Sequence, residues 1–111
     1  MTRKEKIAWA AGLFEGEGCI TSHAGATKLS PRYLRLALAS TDEDVVRQFH
    51  EIVGLGSVGG PYGPYKGKTK KPHWQWHAAT QKADQALTVL LPYLGERRQA
   101  KAEEVRLLVK R

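Results

Sequence analysis

Cysteine is nearly absent from this chain of 111 residues. Cys19 stands alone, so no internal disulfide can form, and a reducing compartment fits best. Zinc is poorly served too. Cys19 and His23 lie close in sequence, but two further ligands at convincing spacing are missing. No apolar run approaches the roughly 20 residues of a membrane span. The charged segment 3–6 leads directly into a helical pattern, so no signal peptide is expected. These absences together point to an intracellular protein of the cytoplasm or nucleoid, with an organelle left open. The sequence has no internal repeat, and its four histidines form no His/Asn constellation of the kind histidine-metal catalysis needs. Acids are also scarce: 11 Asp and Glu stand against 18 Lys and Arg, a formal charge of +7. Such a surplus suits a polyanionic partner but does not by itself separate nucleic acid from an anionic surface.

The most informative segment that is present is AAGLFEGEG at 10–18, a run of small and apolar residues closing on two glutamates flanked by glycine. Ala8, Gly12 and Gly16 recur at i, i+4, i+8 and form one ridge on a helix. A ridge without side-chain bulk lets a second helix approach closely, by the logic of small-xxx-small crossings. Glycine inside a helix costs roughly 0.5–1 kcal/mol against alanine, so two of them need such a reason. Glu17 falls at the negative end of the same helix, where a carboxylate is disfavoured unless a cation is near. If the ridge meets a symmetry mate, Glu17 of each copy arrives near the axis. Two such carboxylates repel unless a metal neutralises them, and oxygen donors suit Mg²⁺ or Ca²⁺. On spacing alone a buried helix with a solvated end, closed by Gly18, fits equally well.

The periodicities place one domain over 1–111. A helix is expected from about Lys4 to Glu17, with Ile7, Ala10 and Phe14 inward. Strands follow at Cys19–Ala24 and Tyr33–Ala39, joined by a turn that carries Lys28 and leads to Arg32. Leu34, Leu36 and Leu38 share one face of the second strand, and Tyr33, Arg35 and Ala37 the other. Thr41 is the expected N-cap of a second helix with Val46, Phe49 and Val53 inward, stopped by Gly54. A third strand begins at Gly56–Val58. The following GGPYGPYKGKTKKP holds three prolines, four glycines and four lysines and reads as a basic loop. A fourth strand at His73–Ala79 turns Trp74 and Trp76 inward. A helix from Thr80 to Leu91 breaks near Pro92, and a last basic helix runs from about Glu96 to Arg111. The order α-β-β-α-β-β-α-α is α+β: a four-stranded antiparallel sheet with helices on one face and the other face open.

That open face would carry Thr21, His23, Tyr33, Arg35, His73, Gln75 and His77, a donor-rich set with no acid. Ordinary solvated faces mix signs, so the set favours DNA. Arg, Gln and His can address base edges in the major groove, and strands can enter it. Lys66, Lys68, Lys70 and Lys71, with Lys28 and Arg32, would add phosphate contacts that position without reading sequence. His50, within the second helix, is expected at the surface.

AAGLFEGEGCI resembles the signature of the LAGLIDADG homing endonucleases, with glutamate for both aspartates and Ala10 for the leading leucine. The later PYLGERRQA and the order of elements extend the resemblance over nearly the whole chain. It implies a homodimer through Ala8, Gly12 and Gly16, since one motif copy supplies half an active site. It implies metal-dependent cleavage of double-stranded DNA at a long pseudo-palindromic site, across the minor groove, leaving short 3′ overhangs. By the same resemblance Glu17, with the Gly16 carbonyl, binds Mg²⁺ or another divalent ion such as Mn²⁺, with Ca²⁺ bound but unproductive. Glu15 supports the helix end. Arg97 polarises active-site solvent, with Arg98 as the alternative or else a DNA contact. Ser40 stands where the family often has a water-positioning glutamine. No small-molecule cofactor and no membrane are implied. The alternative is a DNA-binding protein of the same fold that does not cut, such as a transcription regulator or intron maturase.

Overall fold

The computed structural model describes residues 1–63 and 71–109. Lys66, Lys68 and Lys70 lie outside the described residues. The elements run α1 (Arg3–Glu17), β1 (Gly18–His23), β2 (Tyr33–Ser40), α2 (Glu43–Val53), β3 (Ser57–Tyr62), β4 (His73–Ala79), α3 (Thr80–Leu90), a 3₁₀ turn (Leu91–Tyr93) and α4 (Glu96–Val109). The sheet order is β1-β2-β4-β3, and every neighbouring pair is antiparallel. The helices cover one face, as the alternation of β2 and β4 requires.

Local chemistry sets the ends of the elements. Thr2 and Glu5 form a reciprocal capping box: Thr2 Oγ1 accepts the Glu5 N–H at 3.1 Å, and the Thr2 N–H donates to Glu5 Oε1 at 2.9 Å. The backbone bond from Thr2, then its side chain, holds the Glu5 carboxyl below its usual range. Asp42, not Thr41, occupies the N-cap position of α2, and it makes no side-chain cap bond. The Ser40 hydroxyl accepts the Asp42 N–H at 3.1 Å, in the turn just before the helix. β3 runs further than its composition suggests. Gly59–Tyr62 continues the edge strand through a register irregularity, which Gly60 allows with a φ of 130°. His50 is half-buried rather than fully at the surface.

The core lies between the helices and the leucine face of β2. Leu34, Leu36 and Leu38 are buried there with Ile20, Val46, Ala83, Leu87 and Leu90. Its centre is aromatic. Phe49 meets Trp76 edge-on at 4.8 Å, and Phe14 stacks on Phe49 at 6.2 Å. The buried Trp76 indole N–H finds the Leu55 carbonyl at 2.9 Å, so its burial leaves no donor unpaired. Phe14 also explains the corner between α1 and β1. A Cβ on Gly18 would overlap the Phe14 ring, so only glycine lets the chain pass from helix to strand at this point. Gly18 is extended there, with φ −81° and ψ 161°, and is not a left-handed cap.

Candidate carboxylate centre and nucleic-acid interface

The last turn of α1 is held from two sides. On one side Gly18 lies under Phe14. On the other, α4 reaches back. Glu15 Oε1 accepts the Gly95 N–H at 2.7 Å, at the N-terminus of α4. Arg98 Nη2 donates to the Glu15 carbonyl at 3.0 Å, at the C-terminus of α1. An acid therefore meets the positive end of one helix and a base the negative end of the other. Arg98 Nε stands 3.8 Å from Glu15 Oε2, and its side chain is only 16% exposed. Arg97, one residue earlier, is exposed.

Glu17 emerges beyond this clamp. It is exposed and makes no hydrogen bond or ion pair among the described residues, and no base lies in the last turn of α1. Ala8, Gly12 and Gly16 are all exposed on the same helix. A Cβ at Gly12 or Gly16 would meet nothing within 4 Å, so the chain's own packing requires neither glycine. Glu17 and the Gly16 carbonyl are hard oxygen donors, the chemistry that suits Mg²⁺ or Ca²⁺. Among the described residues no three His, Cys, Asp or Glu side chains gather as a metal-binding group.

Strand register arranges the open face in rows. His23 lies opposite Tyr33, and the two rings stack at 5.7 Å. Thr21, Arg35 and Ala79 form the next row. Then come Cys19, Ala37, His77 and Ser57, with Ser57 Oγ 3.3 Å from His77 Nε2. Ala39, Gln75 and Gly59 follow, and Tyr62 opposite His73 closes the face, their rings 5.6 Å apart. None of these positions is acidic. Large polar groups occupy two diagonal corners, and small residues (Cys19, Ala37, Ala39) floor the part nearest the end of α1. Ser57 and Tyr62 escape a reading of the sequence alone, because the glycines and proline of β3 hide its alternation.

Other expected site residues lie apart. Lys28 and Lys71 are exposed. The Arg32 guanidinium is tied back to β1, donating to Ser22 Oγ at 3.0 Å and to the Ser22 carbonyl at 3.1 Å. Ser40 shares the parity of the buried leucines and caps the turn into α2. A cleft of about 800 Å³, lined by Tyr33, Thr80, Gln81, Asp84 and Gln85 among others, opens at the far end of the strands from Glu17. No helix among the described residues is long and apolar enough to cross a membrane.

No family model and no curated protein matches the sequence. Solved structures do match. The homing endonuclease I-CvuI, in complex with the I-CreI target in the presence of Mg, superimposes with a TM-score of 0.70 at 22% identity, over 96% of this chain and 69% of that one. The archaeal intron-encoded homing endonuclease I-Vdi141I complexed with DNA gives 0.64 at 12% identity, over 83% of this chain and 57% of that one. The LAGLIDADG meganuclease I-AabMI bound to uncleaved DNA gives 0.67 at 18% identity, over 90% of this chain but 34% of that one.

Proposed function

We propose that this chain, which has the fold of the LAGLIDADG homing endonucleases, is a site-specific endonuclease that hydrolyses double-stranded DNA as a metal-dependent homodimer. One observation carries the reading. A carboxylate without a partner among the described residues, on a helix that exposes Ala8, Gly12 and Gly16 along one ridge, borders a sheet face that is rich in donors and free of acid.

In this reading the duplex lies on the open face. Arg35, Gln75, His73 and His77 address base edges, with Thr21, His23 and Tyr33 beside them. Lys28, Lys71 and the loop lysines hold phosphates. Two copies meet along Ala8, Gly12 and Gly16, which brings two Glu17 carboxylates and two Gly16 carbonyls to one axis. Those groups would hold a divalent ion, which when bound would supply Lewis-acid activation of water and of the scissile phosphate. Glu17 neutralises and locates the cation. Arg97, exposed on the first turn of α4, reaches solvent beside the end of α1 and stabilises charge there.

A second reading, a DNA-binding protein of the same fold that does not cut, draws support from Ser40. Its hydroxyl is engaged by Asp42 N–H and leaves no long polar side chain to orient water at that place. Cleavage of a randomised duplex library in Mg²⁺, against the same library in Ca²⁺, separates the two. The endonuclease reading requires specific double-strand breaks in Mg²⁺ alone. Retention of a specific duplex without breaks in Mg²⁺ or Mn²⁺ would favour the regulator.

A further inference from the structure

Glu17 has no side-chain anchor among the described residues, so the backbone of residues 15–18 sets where its carboxylate stands. That backbone has two restraints. Gly18 beneath Phe14 fixes the strand side. The helix side depends on contacts 80 and 83 residues away in sequence, Gly95 N–H to the Glu15 carboxylate and Arg98 Nη2 to the Glu15 carbonyl. The Gly95 position is tight, because a Cβ there would stand 3.3 Å from Glu15 Oε1. Arg98 makes one guanidinium hydrogen bond here, from Nη2. Its Nε is buried and finds no hydrogen-bond partner among the described residues, with the Glu15 carboxylate 3.8 Å away.

Leaving a buried guanidinium N–H without a hydrogen bond is costly, so the arrangement implies a use beyond ordinary surface pairing. We propose that Arg98 is a positioning residue: through Glu15 it fixes the end of α1, and so the height of the Glu17 carboxylate at the cation site. This rests on the reading that Glu17 holds a divalent ion. It divides two adjacent arginines by role. Arg98 is committed to the clamp, and Arg97 is left as the cation that faces solvent. Neighbouring helix residues point about 100° apart, so the two cannot share one task.

Coulomb's law gives the test its sign. Arg98 is a positive charge close to a cation site, so by charge alone its removal should tighten metal binding. Positioning demands the reverse. Mn²⁺ affinity, read from the free-ion electron paramagnetic resonance signal of the full chain, should weaken about tenfold in Arg98→Gln, the range found when groups that orient metal ligands are lost. Arg98→Lys keeps the charge and most of the bulk but not the fork. It should weaken Mn²⁺ as well, and it serves if Arg98→Gln fails to fold. Glu15→Gln keeps an acceptor for Gly95 N–H and should show a smaller loss. Unchanged or tighter Mn²⁺ binding by folded Arg98→Gln or Arg98→Lys would overturn the proposal. So would a uniform loss of DNA affinity in EDTA with a flatter salt dependence, which would make Arg98 a phosphate contact. Glu17→Gln binding Mn²⁺ as wild type does would overturn the underlying reading as well.

Discussion

Gly12→Ala is a substitution whose sign depends on whether the α1 ridge is covered. In the isolated chain a Cβ at Gly12 meets nothing within 4 Å. Alanine is then a pure gain in helix propensity, about 0.5–1 kcal/mol, or roughly 2–6 °C in Tm for a domain near this size. If two ridges pack at Ala8, Gly12 and Gly16, each added methyl lies at the closest approach of two backbones, and overpacking there costs about 1–3 kcal/mol. The net effect on the assembled protein is then destabilising. Calorimetry over a dilution series separates the cases. Gly12→Ala should melt below wild type at high protein concentration, and the difference should shrink or reverse on dilution. Gly12→Leu should go further and sediment as a monomer at concentrations where wild type is dimeric. A Gly12→Ala protein that is more stable than wild type at every concentration, with a Gly12→Leu protein that is folded and sediments as wild type does, would refute the dimer through α1.

The other expectations concern the face, the core and the first cap. Arg35→Ala should relax preference at particular base pairs by about 1–3 kcal/mol, whereas Lys68→Ala should weaken all sequences alike and flatten the salt slope; equal and uniform losses in competition binding would contradict that division. Phe14→Ala removes a fully buried ring from the aromatic centre and should destabilise by about 3–5 kcal/mol in urea unfolding. The Glu5 carboxyl is held below its ordinary value, so its contribution is present above the unfolded pKa and is lost as pH falls through the folded one. Wild type and Glu5→Gln should therefore differ in Tm at neutral pH and converge in acid; a difference that persists at low pH would show that the capping box does not depend on the charge.

Much of the architecture is legible in the residues because the sheet is covered on one side only. β4 falls at His73–Ala79 as read, since tryptophans alternate with polar residues there, and Leu34, Leu36 and Leu38 mark the buried face of β2 just as plainly. β3 is harder. Glycine and proline usually punctuate chains, and only its place as an edge strand lets them remain in the sheet. The start of α2 is not marked by a cap that spacing could find: Asp42 stands at the N-cap position without a side-chain cap bond, and the Ser40 hydroxyl takes the Asp42 N–H. The clamp at the end of α1 is the least legible feature. Nothing local links Glu15 to Gly95 and Arg98, and an alignment that can slip by one residue cannot tell Arg97 from Arg98. Tertiary packing decides which arginine faces inward.

Glu17→Gln tests the central claim most directly. The substitution keeps the shape of an exposed side chain that has no partner among the described residues, so folding and dimerisation should be unchanged. It removes the charge that holds the cation. With duplex DNA selected by the wild-type protein, binding in Ca²⁺ or EDTA should persist, while single-turnover cleavage in Mg²⁺ falls by orders of magnitude, because metal catalysis contributes several kcal/mol to the transition state. A Glu17→Gln protein that folds, dimerises and cuts that DNA at the wild-type rate would contradict the account.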